Sequence, residues 1–506
     1  EGQASPNCSA SFTQTKYNPT TGFANEFTDR KGIKTSLIYN SFGQLTDSTT
    51  FETGYGWANA SGSITLSKRY DTSNRLWKII KPGLTVERLY NLKSRIKTVT
   101  ETDTTSNTAP YSTNGVARVT SYTYELYTGT SNIKKVTIDG PRTDVNDLTV
   151  LQYDAAGNLV STTNAKGQVV SFANFNKLGL PDTKTDENGI VTNFTYYTRG
   201  WLHTSTTHLA EGDAKTEFTY YKNGLVKTKA LASGYTETYT YNAAHQLTGV
   251  TNSYGESQVL TPSKLNGDSL AAKIYNSSSQ LRYDQFSSQD ELGRKTSTGF
   301  SSVVSEYYLY DNENHLARTT VTNYLKNIAN GSITSYYYDA YGRQRAAIPS
   351  DGAPVFFGYD AYGNRNQVLI AGSTASGPTL QWKYDQDGNL VPGVSPASRS
   401  GSYFDFDATG TIVGVQSGST GPDGQLTTYV YDGFGEVIYE SSPTTGTATK
   451  RYDLAGNLTS VTYGSGLSIT YSYDELNRRL SEQYSDSTLV SFGYADTTDR
   501  FGVGHI

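Results

Sequence analysis

The sequence predicts an all-β protein, a YD-repeat array of β-hairpins coiled into a spiral sheet, tube or hollow shell. The first observation behind this prediction is a composition with 41 Tyr and 48 Gly among 506 residues, which favours strands and turns over helices. The second is a recurrent motif of Tyr and Asp, then two residues, then Gly. The third is the spacing of its copies, with intervals of 21 residues from Tyr431 to Tyr452 and from Tyr452 to Tyr473. A fixed period of this size indicates stacked supersecondary units.

The motif is most regular in the C-terminal third of the chain and looser before it. Copies in the C-terminal third begin at Tyr338, Tyr359, Tyr384, Phe406, Tyr431, Tyr452 and Tyr473, and the pattern decays at Tyr494. Earlier copies begin at Tyr39, Tyr70, Tyr90, Tyr153, Phe175, Tyr196, Tyr220, Tyr241 and Tyr310. The residues that define the repeat are Tyr153, Asp154 and Gly157; Tyr338, Asp339 and Gly342; Tyr359, Asp360 and Gly363; Tyr384, Asp385 and Gly388; Tyr431, Asp432 and Gly435; Tyr452, Asp453 and Gly456; and Tyr473 with Asp474.

One unit, residues 153–175, explains the spacing. Tyr153 is predicted to end a strand, and Asp154 to Gly157 to form a turn in which the Asp side chain binds local amides and Gly takes positive φ. Two further strands follow, separated by a second turn at 164–167. Because a single hairpin is marginal in water, the units must lie side by side in one sheet, with the Tyr of each repeat near the Tyr of the next.

A sheet this long cannot stay flat, because strands twist, so it is predicted to coil. We interpret residues 1–506 as one continuous array of about twenty units. It is predicted to be less regular at 97–150 and 248–305, where longer inserts favour protruding loops or irregular packing. Both ends resemble cuts through a longer array.

Composition excludes several classes of function. The chain has no apolar run of the roughly 20 residues that a membrane-spanning helix needs. Its 42 Lys and Arg are scattered and its net charge is -5, so it lacks the basic patch of a nucleic-acid-binding protein. The single cysteine, Cys8, excludes an internal disulfide framework and a Cys-based zinc site. The sequence predicts neither a metal nor a cofactor.

The run Tyr-Asp-x-x-Gly-x-Leu, followed about eight residues later by Gly-x-x-x-x-(Tyr/Phe)-x-Tyr, resembles the YD repeats of the Rhs family over most of the chain. Relatives with these repeats include bacterial Rhs and wall-associated polymorphic toxins, the BC component of Tc toxins, and teneurins. The resemblance implies a β-shell around a hollow that holds a toxin polypeptide in bacterial members. The family's self-cleavage sequence is of the Asp-Pro-x-Gly type, and this chain has no Asp-Pro dipeptide.

The leading functional hypothesis is therefore a noncatalytic, secreted or surface-associated scaffold that encloses, protects or displays a polypeptide such as a toxin. Its predicted partner is that enclosed or fused cargo. One alternative is a cell-surface adhesion protein that binds glycans, and another is an extracellular polysaccharide-degrading enzyme of the lyase type. Uncapped repeats also predict end-to-end self-association, because strand edges would be exposed.

The candidate site residues are chosen mainly because their residue types, His and Trp, are rare in this chain. His203, His208 and Tyr220 are the catalytic candidates for a lyase, in which Tyr and His would act as acid and base. Trp57, Trp201 and Trp382 are the glycan-binding candidates. His203 and His208 lie five residues apart, which places them on opposite faces of a strand unless a bulge intervenes. His245 and His315 are interpreted as turn residues, at the position of the motif where Gly or Asn usually sits.

Overall fold

The computed structural model describes residues 13–29, 33–51, 63–301, 303–311, 314–321, 332–339, 341–350, 352–370, 403–406, 412–416 and 425–494. Within these ranges the regular structure is entirely β, as the sequence predicts.

The strands of the first half are short and follow one another closely. They are β1 (Gln14–Tyr17), β2 (Ala24–Thr28), β3 (Lys34–Tyr39), β4 (Leu45–Phe51), β5 (Ser63–Tyr70), β6 (Leu76–Lys81), β7 (Leu84–Tyr90), β8 (Ile96–Asp103), β9 (Ala117–Leu126), β10 (Ile133–Asp139), β11 (Leu148–Tyr153), β12 (Leu159–Thr163), β13 (Val169–Phe175), β14 (Pro181–Thr185), β15 (Val191–Tyr196), β16 (Leu202–Leu209), β17 (Gly212–Tyr220), β18 (Val226–Leu231), β19 (Thr236–Tyr241) and β20 (Leu247–Asn252).

The second half continues in the same way. Its strands are β21 (Ser257–Pro262), β22 (Ser269–Tyr275), β23 (Leu281–Gln289), β24 (Lys295–Phe300), β25 (Val303–Tyr310), β26 (Leu316–Val321), β27 (Ser332–Tyr338), β28 (Gln344–Pro349), β29 (Val355–Tyr359), β30 (Arg365–Ile370), β31 (Tyr403–Phe406), β32 (Ile412–Gln416), β33 (Gln425–Tyr431), β34 (Val437–Ser442), β35 (Gly446–Tyr452), β36 (Leu458–Tyr463), β37 (Ser468–Tyr473), β38 (Arg479–Tyr484) and β39 (Leu489–Ser491).

One antiparallel sheet contains 37 of these strands. Each strand pairs with its neighbours in the chain, so the sheet is a continuous meander, and β30 pairs directly with β33. Strands β31 and β32 form a separate hairpin. Successive turns therefore alternate between the two long edges of the sheet. We call the edge that carries the turns at 154–158, 339–343 and 474–478 the YD edge, and the other the opposite edge.

The YD turn is built as the sequence predicts. At residues 154–158 the Asp154 amide donates to the carbonyl of Asn158 (2.9 Å), and the Gly157 amide donates to the carbonyl of Asp154 (3.1 Å). The Asp154 carboxylate accepts a hydrogen bond from the Asn158 amide (2.9 Å). Gly157 has φ 94°, the left-handed region that favours glycine.

The repeat Tyr links each unit to the one before it. Ten of the repeat phenols donate to the carbonyl of the first residue of the preceding strand in the sheet, as Tyr473 does to Leu458 (2.9 Å). The other Tyr residues that do so are Tyr70, Tyr90, Tyr196, Tyr220, Tyr338, Tyr359, Tyr431, Tyr452 and Tyr494. A β-bulge precedes the Tyr in these hairpins, for example between Ser472 and Tyr473, and bulges increase the local twist of a sheet. The Tyr ladder thus runs along the YD edge.

The apolar core is small because a single sheet buries little surface. Its largest cluster consists of Ala346, Phe356 and Leu369, with Tyr337 packed against it. Elsewhere most strand residues are half-buried, and hydrogen bonds between neighbouring strands hold much of the sheet in place.

One unit within 248–305 is inverted. The turn at 276–280 has YD-type hydrogen bonds, with the Asn276 side chain accepting from the Gln280 amide (2.8 Å), yet strand alternation places it on the opposite edge. The longer turn at 263–268, closed by the Ser263 amide on the Asp268 carbonyl (2.7 Å), lies on the YD edge instead.

Candidate functional site: the seam that closes the coil

The sheet coils until its two long edges meet. YD turns of residues 339–478 rest on opposite-edge turns of residues 50–166, and the hydrogen bonds between them join positions that are 256 to 339 residues apart. The contacts advance in order along both edges, from Thr50 with Tyr341 to Arg142 with Asp474. We call this line of contacts the seam. It shows that the array is a spiral.

Asp103 anchors the middle of the seam. It ends β8 on the opposite edge and is 1% exposed. Its carboxylate accepts hydrogen bonds from the Gly433 amide (2.7 Å) across the seam and from the Thr105 amide and hydroxyl (2.7 Å each) beside it. Burial alone would raise the pKa of Asp103, but these hydrogen bonds hold the pKa below its ordinary value, so the carboxylate is ionised at neutral pH.

An ion pair lies next along the seam. Arg118 at the start of β9 donates to both carboxylate oxygens of Glu436 at 2.7 Å, and its guanidinium lies 3.8 Å from the centre of the Phe434 ring. Both charged side chains are 16% exposed. Burial raises the pKa of Glu436 to about 7, although the Arg118 hydrogen bonds act in the opposite direction.

Arg142 crosses the seam in the turn between β10 and β11. This buried guanidinium donates to the Asp474 carbonyl (2.5 Å) and to the Asn477 side chain (3.3 Å) of a YD turn, and it lies 3.7 Å from the Asp453 carboxylate. Asp144 pairs with the same guanidinium at 2.6 Å. A buried charge with this many partners is fixed in position.

Aromatic and amide groups fill the seam between these charges. The Tyr362 phenol accepts a hydrogen bond from the Ser106 amide (2.6 Å), and the Asn107 side chain donates to the Tyr431 carbonyl (2.6 Å). The Tyr111 phenol donates to the Lys450 carbonyl (2.5 Å). Each bond joins a residue of the insert between β8 and β9 to a YD turn or to the strand beside it.

Several residues of the insert at 97–150 therefore pack into the seam. Thr105 is 0% and Arg142 is 6% exposed. Sequence reasoning marked this region as irregular but missed Asp103, Arg118 and Arg142, because their partners lie hundreds of residues away. The available signal was the concentration of polar residues in an insert that interrupts a regular repeat.

The seam uses only part of the repeat-defining set. Among these residues, Tyr431, Asp453 and Asp474 reach the seam through their carboxylate or backbone, while Tyr153, Asp154 and Gly157 form a turn on the YD edge of a part of the chain whose opposite edge forms the seam. Tyr384, Asp385 and Gly388 lie outside the described residues.

The structure separates the two candidate histidines. A bulge falls at His203, because Tyr196 pairs with Leu202 and Thr195 with Thr204. The His203 ring lies 4.6 Å from the Tyr197 ring and 3.6 Å from the Glu217 carboxylate. His208 instead contacts Asn193 (2.9 Å) and Asp213 (2.8 Å). The two imidazoles therefore have separate partners.

Tyr220 and Trp201 lie on the His203 side of this region. Their rings are 5.3 Å apart, and Tyr197 meets Tyr220 edge-on at 5.8 Å. The Tyr220 phenol donates to the Leu202 carbonyl (2.8 Å), the ordinary bond of the Tyr ladder. Trp201 is half-buried beneath Arg199, so it is not the freely exposed ring that glycan stacking would use. Trp57 and Trp382 lie outside the described residues, and the catalytic and glycan-binding roles stay predictions.

The other two histidines differ in their turns. His245 has φ 65° and takes the position of the repeat Gly, as predicted. His315 also lies in its turn, which the Asp311 amide closes on the His315 carbonyl (2.9 Å), but the position of the repeat Gly is taken there by Asn314 with φ 69°. His315 follows it, stacks on Tyr338 at 4.7 Å and pairs with Asp311 at 3.1 Å, so it takes the place that Arg or Asn has in other units.

In the part of the chain that the structure describes, no group of three or more His, Cys, Asp or Glu side chains is arranged to hold a metal ion. The same part contains no helix with the length and apolar character needed to cross a membrane.

The meander, the Tyr ladder and the seam define the fold class of this protein as a coiled YD-repeat β-hairpin array. Family comparison agrees: the Teneurin YD-shell model matches residues 214–446 and the RHS Repeat model matches residues 452–489. The predicted resemblance to the Rhs/YD-repeat family is thereby confirmed. A search of curated protein sequences finds no match.

Solved structures with similarity to the chain include two Tc toxin assemblies. TcdB2-TccC3 without its hypervariable C-terminal region has 12% identity and a TM-score of 0.30, over 92% of this chain and 34% of that one. The Photorhabdus luminescens Tc holotoxin pore has 11% identity and a TM-score of 0.21, over 96% and 34%. A porin-like protein from Bacteroides uniformis has 13% identity and a TM-score of 0.14, over 48% and 88%. This chain spans about a third of the length of the two Tc toxin chains.

Proposed function

We propose that this protein is a shell scaffold whose coiled sheet encloses a polypeptide and keeps it from solvent and proteases. The observation that carries the proposal is the seam, in which buried Asp103 and Arg142 join successive turns of the spiral edge to edge. A wall closed in this way can exclude a protease from the space it surrounds. The mechanism is steric and needs no catalytic group.

The strand faces supply surface for such a cargo. Ile38, Leu89 and Leu309 each precede a repeat Tyr and are 55%, 58% and 48% exposed. Because successive strand residues point to opposite faces, these side chains lie on the face opposite the repeat Tyr. Apolar groups at repeated positions can contact an unfolded segment without requiring a particular sequence.

The resemblance to Rhs proteins makes a toxin polypeptide the first class of cargo to consider. An extracellular or cell-surface location belongs to the proposal on the same ground.

The test joins a flexible reporter segment with one protease site to the C-terminus of the whole chain. Cleavage is followed by mass spectrometry in the intact protein and in the seam variant Arg142→Ala, with the free reporter peptide as reference. We expect slow cleavage in the intact protein and faster cleavage in the variant. Cleavage of the fused reporter as fast as the free peptide would refute enclosure.

A matched control shows whether faster cleavage in Arg142→Ala is due to the loss of the seam contact. His208→Ala changes an exposed side chain whose contacts, Asn193 and Asp213, do not belong to the seam, so the variant should protect the reporter as well as the unmodified chain does. If it accelerates cleavage as much as Arg142→Ala, the effect of the seam variant is not due to the seam.

A further inference from the structure

The residue four positions after the turn Asp stabilises each YD turn, and we call its place the coupling position. In seven YD turns its side chain is a permanent hydrogen-bond donor, Arg or Asn, and donates to the Asp carboxylate at 2.6–3.2 Å. These donors are Arg75, Asn158, Arg294, Arg343, Asn364, Asn457 and Arg478. Each Arg of this set also lies over the ring of the next repeat Tyr, 4.3–4.8 Å from the ring centre. One Arg side chain therefore links two successive units.

His315 occupies the coupling position of the Asp311 turn. Its Nδ1 atom lies 3.1 Å from the Asp311 carboxylate, and its ring stacks on Tyr338 with 4.7 Å between the ring centres. These are the two contacts that Arg makes in the neighbouring units. An imidazole carries the charge of an Arg only when it is protonated, and it loses its proton between about pH 5 and about pH 8. The charge-assisted bond to Asp311 and the cation–π contact with Tyr338 therefore weaken as the pH rises.

The charged groups on both sides of His315 have partners of their own. In the preceding unit Arg294 donates to Asp290 (2.6 Å), and in the next unit Arg343 donates to Asp339 (2.7 Å). Each of these guanidinium groups thus has a carboxylate in its own turn. The carboxylate in contact with His315 is that of its own turn as well, so the same pairing depends there on a proton.

Glu436 occupies the coupling position of the Asp432 turn. Its carboxyl group lies within hydrogen-bonding reach of Asp432, which is 4% exposed. A carboxyl group can donate a hydrogen bond only when it is protonated, and when ionised it repels the carboxylate beside it. Arg118 donates to both oxygens of Glu436 (2.7 Å each), so one cation serves two buried carboxyl groups. The raised pKa of Glu436, about 7, agrees with this crowding.

The other titratable groups beside Glu436 keep their charge state in the same range of pH. Burial raises the pKa of Tyr452 to about 12 and also raises the pKa of Tyr111, so both phenols are neutral. Arg451 lies over the Tyr111 ring, 4.3 Å from its centre, and Asp103 is an ionised carboxylate at the adjoining Gly433 amide. A proton taken up here as the pH falls therefore goes to the carboxyl pair of this turn.

We propose that His315 and Glu436 are proton-dependent joints of the coiled wall. In mildly acidic solution each completes the contacts that Arg or Asn makes in other YD turns, and the wall is held more tightly. As the solution becomes neutral, both joints weaken and the wall opens locally at these two places. This goes beyond enclosure, since it adds a condition under which the wall loosens.

Both joints respond to pH in the same direction. The contacts that favour the closed joint at His315 are those of the protonated ring, so they are present in acid and weaken as the ring loses its proton. The pKa of Glu436 in the folded chain exceeds its ordinary value of 4.5, so its contribution is full below that value and falls as pH rises to about 7.

Hydrogen exchange followed by mass spectrometry at pH 5.5 and pH 7.5 tests the two joints in the whole protein, with exchange times scaled for the chemical rate. The probes are the Asp311 amide, which donates to the His315 carbonyl (2.9 Å), and the Gly433 amide at the seam. We expect each joint to open on the order of tenfold more often at the higher pH. Peptides from β17 and β18 should show no such change.

His315→Arg and Glu436→Gln place a permanent donor at each coupling position. Each variant should lose the pH dependence at its own joint and keep it at the other. The matched variant Arg294→His should gain a pH dependence at the turn of Asp290. Unchanged exchange at both pH values in the unmodified protein would overturn the proposal, as would permanent donors that leave the pH dependence intact or an Arg294→His variant that gains none. These measurements need no enclosed cargo, so their outcome is independent of the reporter assay.

Discussion

Replacement of Asp103 by Ala tests the seam most directly. The change leaves two buried backbone amides, those of Gly433 and Thr105, without the acceptor that now lies 2.7 Å from each. An orphaned buried donor costs about 1–3 kcal/mol, and bonds to a charged acceptor are stronger than neutral ones. Since only the Gly433 bond of Asp103 crosses the seam, we expect the free energy of seam opening to fall by about 1.5–3 kcal/mol. This corresponds to roughly 10- to 150-fold more frequent opening.

Hydrogen exchange followed by mass spectrometry measures this opening. An array of repeats need not unfold in one step, so a local measurement is more informative than a melting temperature. Peptides that contain Gly433 should exchange faster in Asp103→Ala by the factor above, while peptides from β17 and β18 should not change. Asp103→Asn, which keeps one acceptor oxygen but no charge, should give a smaller effect.

The matched control is Asp154→Ala, which removes a turn carboxylate that has no part in the seam. It should accelerate exchange only near residues 154–158. If Asp103→Ala leaves the exchange of Gly433 unchanged, the contact does not hold the seam. If it accelerates β17 and β18 equally, the residue stabilises the whole sheet and the reasoning about the seam is refuted.

Three further predictions concern the charge, the ladder and the turn. The pKa of Glu436 in the folded chain is about 7, above its ordinary value of 4.5, so between these pH values the folded state binds a proton that the unfolded state has lost. The contribution of Glu436 to stability therefore falls as pH rises from about 4.5 to about 7. Unfolding titrations should show that Glu436→Gln lacks this fall, and a constant difference in stability between the two proteins across that range would contradict the prediction. Tyr473→Phe removes the hydrogen bond to the Leu458 carbonyl (2.9 Å) and should cost about 1 kcal/mol, seen as faster exchange in β36 and β37 and not in β17. Gly157→Ala places a side chain at φ 94°, where no neighbour lies within 4 Å of the new carbon, so strain alone should cost about 1–2 kcal/mol; thermal unfolding equal to that of the unmodified chain would show that the turn relaxes.

Much of the local structure could be predicted because it depends on neighbours in sequence. The YD turn and the strands that flank it need only residues within about one repeat. The bond from a repeat Tyr to a backbone carbonyl of the preceding unit was not predicted, because the sequence suggested only that neighbouring Tyr rings lie close. The inverted unit at 276–280 was missed for a simple reason. The turn at 263–268 occupies the place on the YD edge, so the next turn, at 276–280, falls on the opposite edge, and only the count of strands records this.

The histidines show that a rare residue type does not by itself identify a functional site. His203 and His208 attract attention because the chain has only five histidines, yet they lie in one strand, β16, and contact different partners. The residues that close the spiral, Asp103, Arg118 and Arg142, are of common types and follow no motif. Their role is visible only beside Gly433, Glu436 and Asp474.

By itself, the sequence determined an all-β array, its repeating hairpin and the alignment of its repeat Tyr residues, because each depends on residues that are close along the chain. Only the tertiary structure decided which units meet across the seam. The residues that meet are 256 to 339 positions apart along the chain. Which residues meet depends on small twists and bulges that add up over many strands. A small change in each would bring different turns together, so no local pattern can specify that Arg142 meets Asp474.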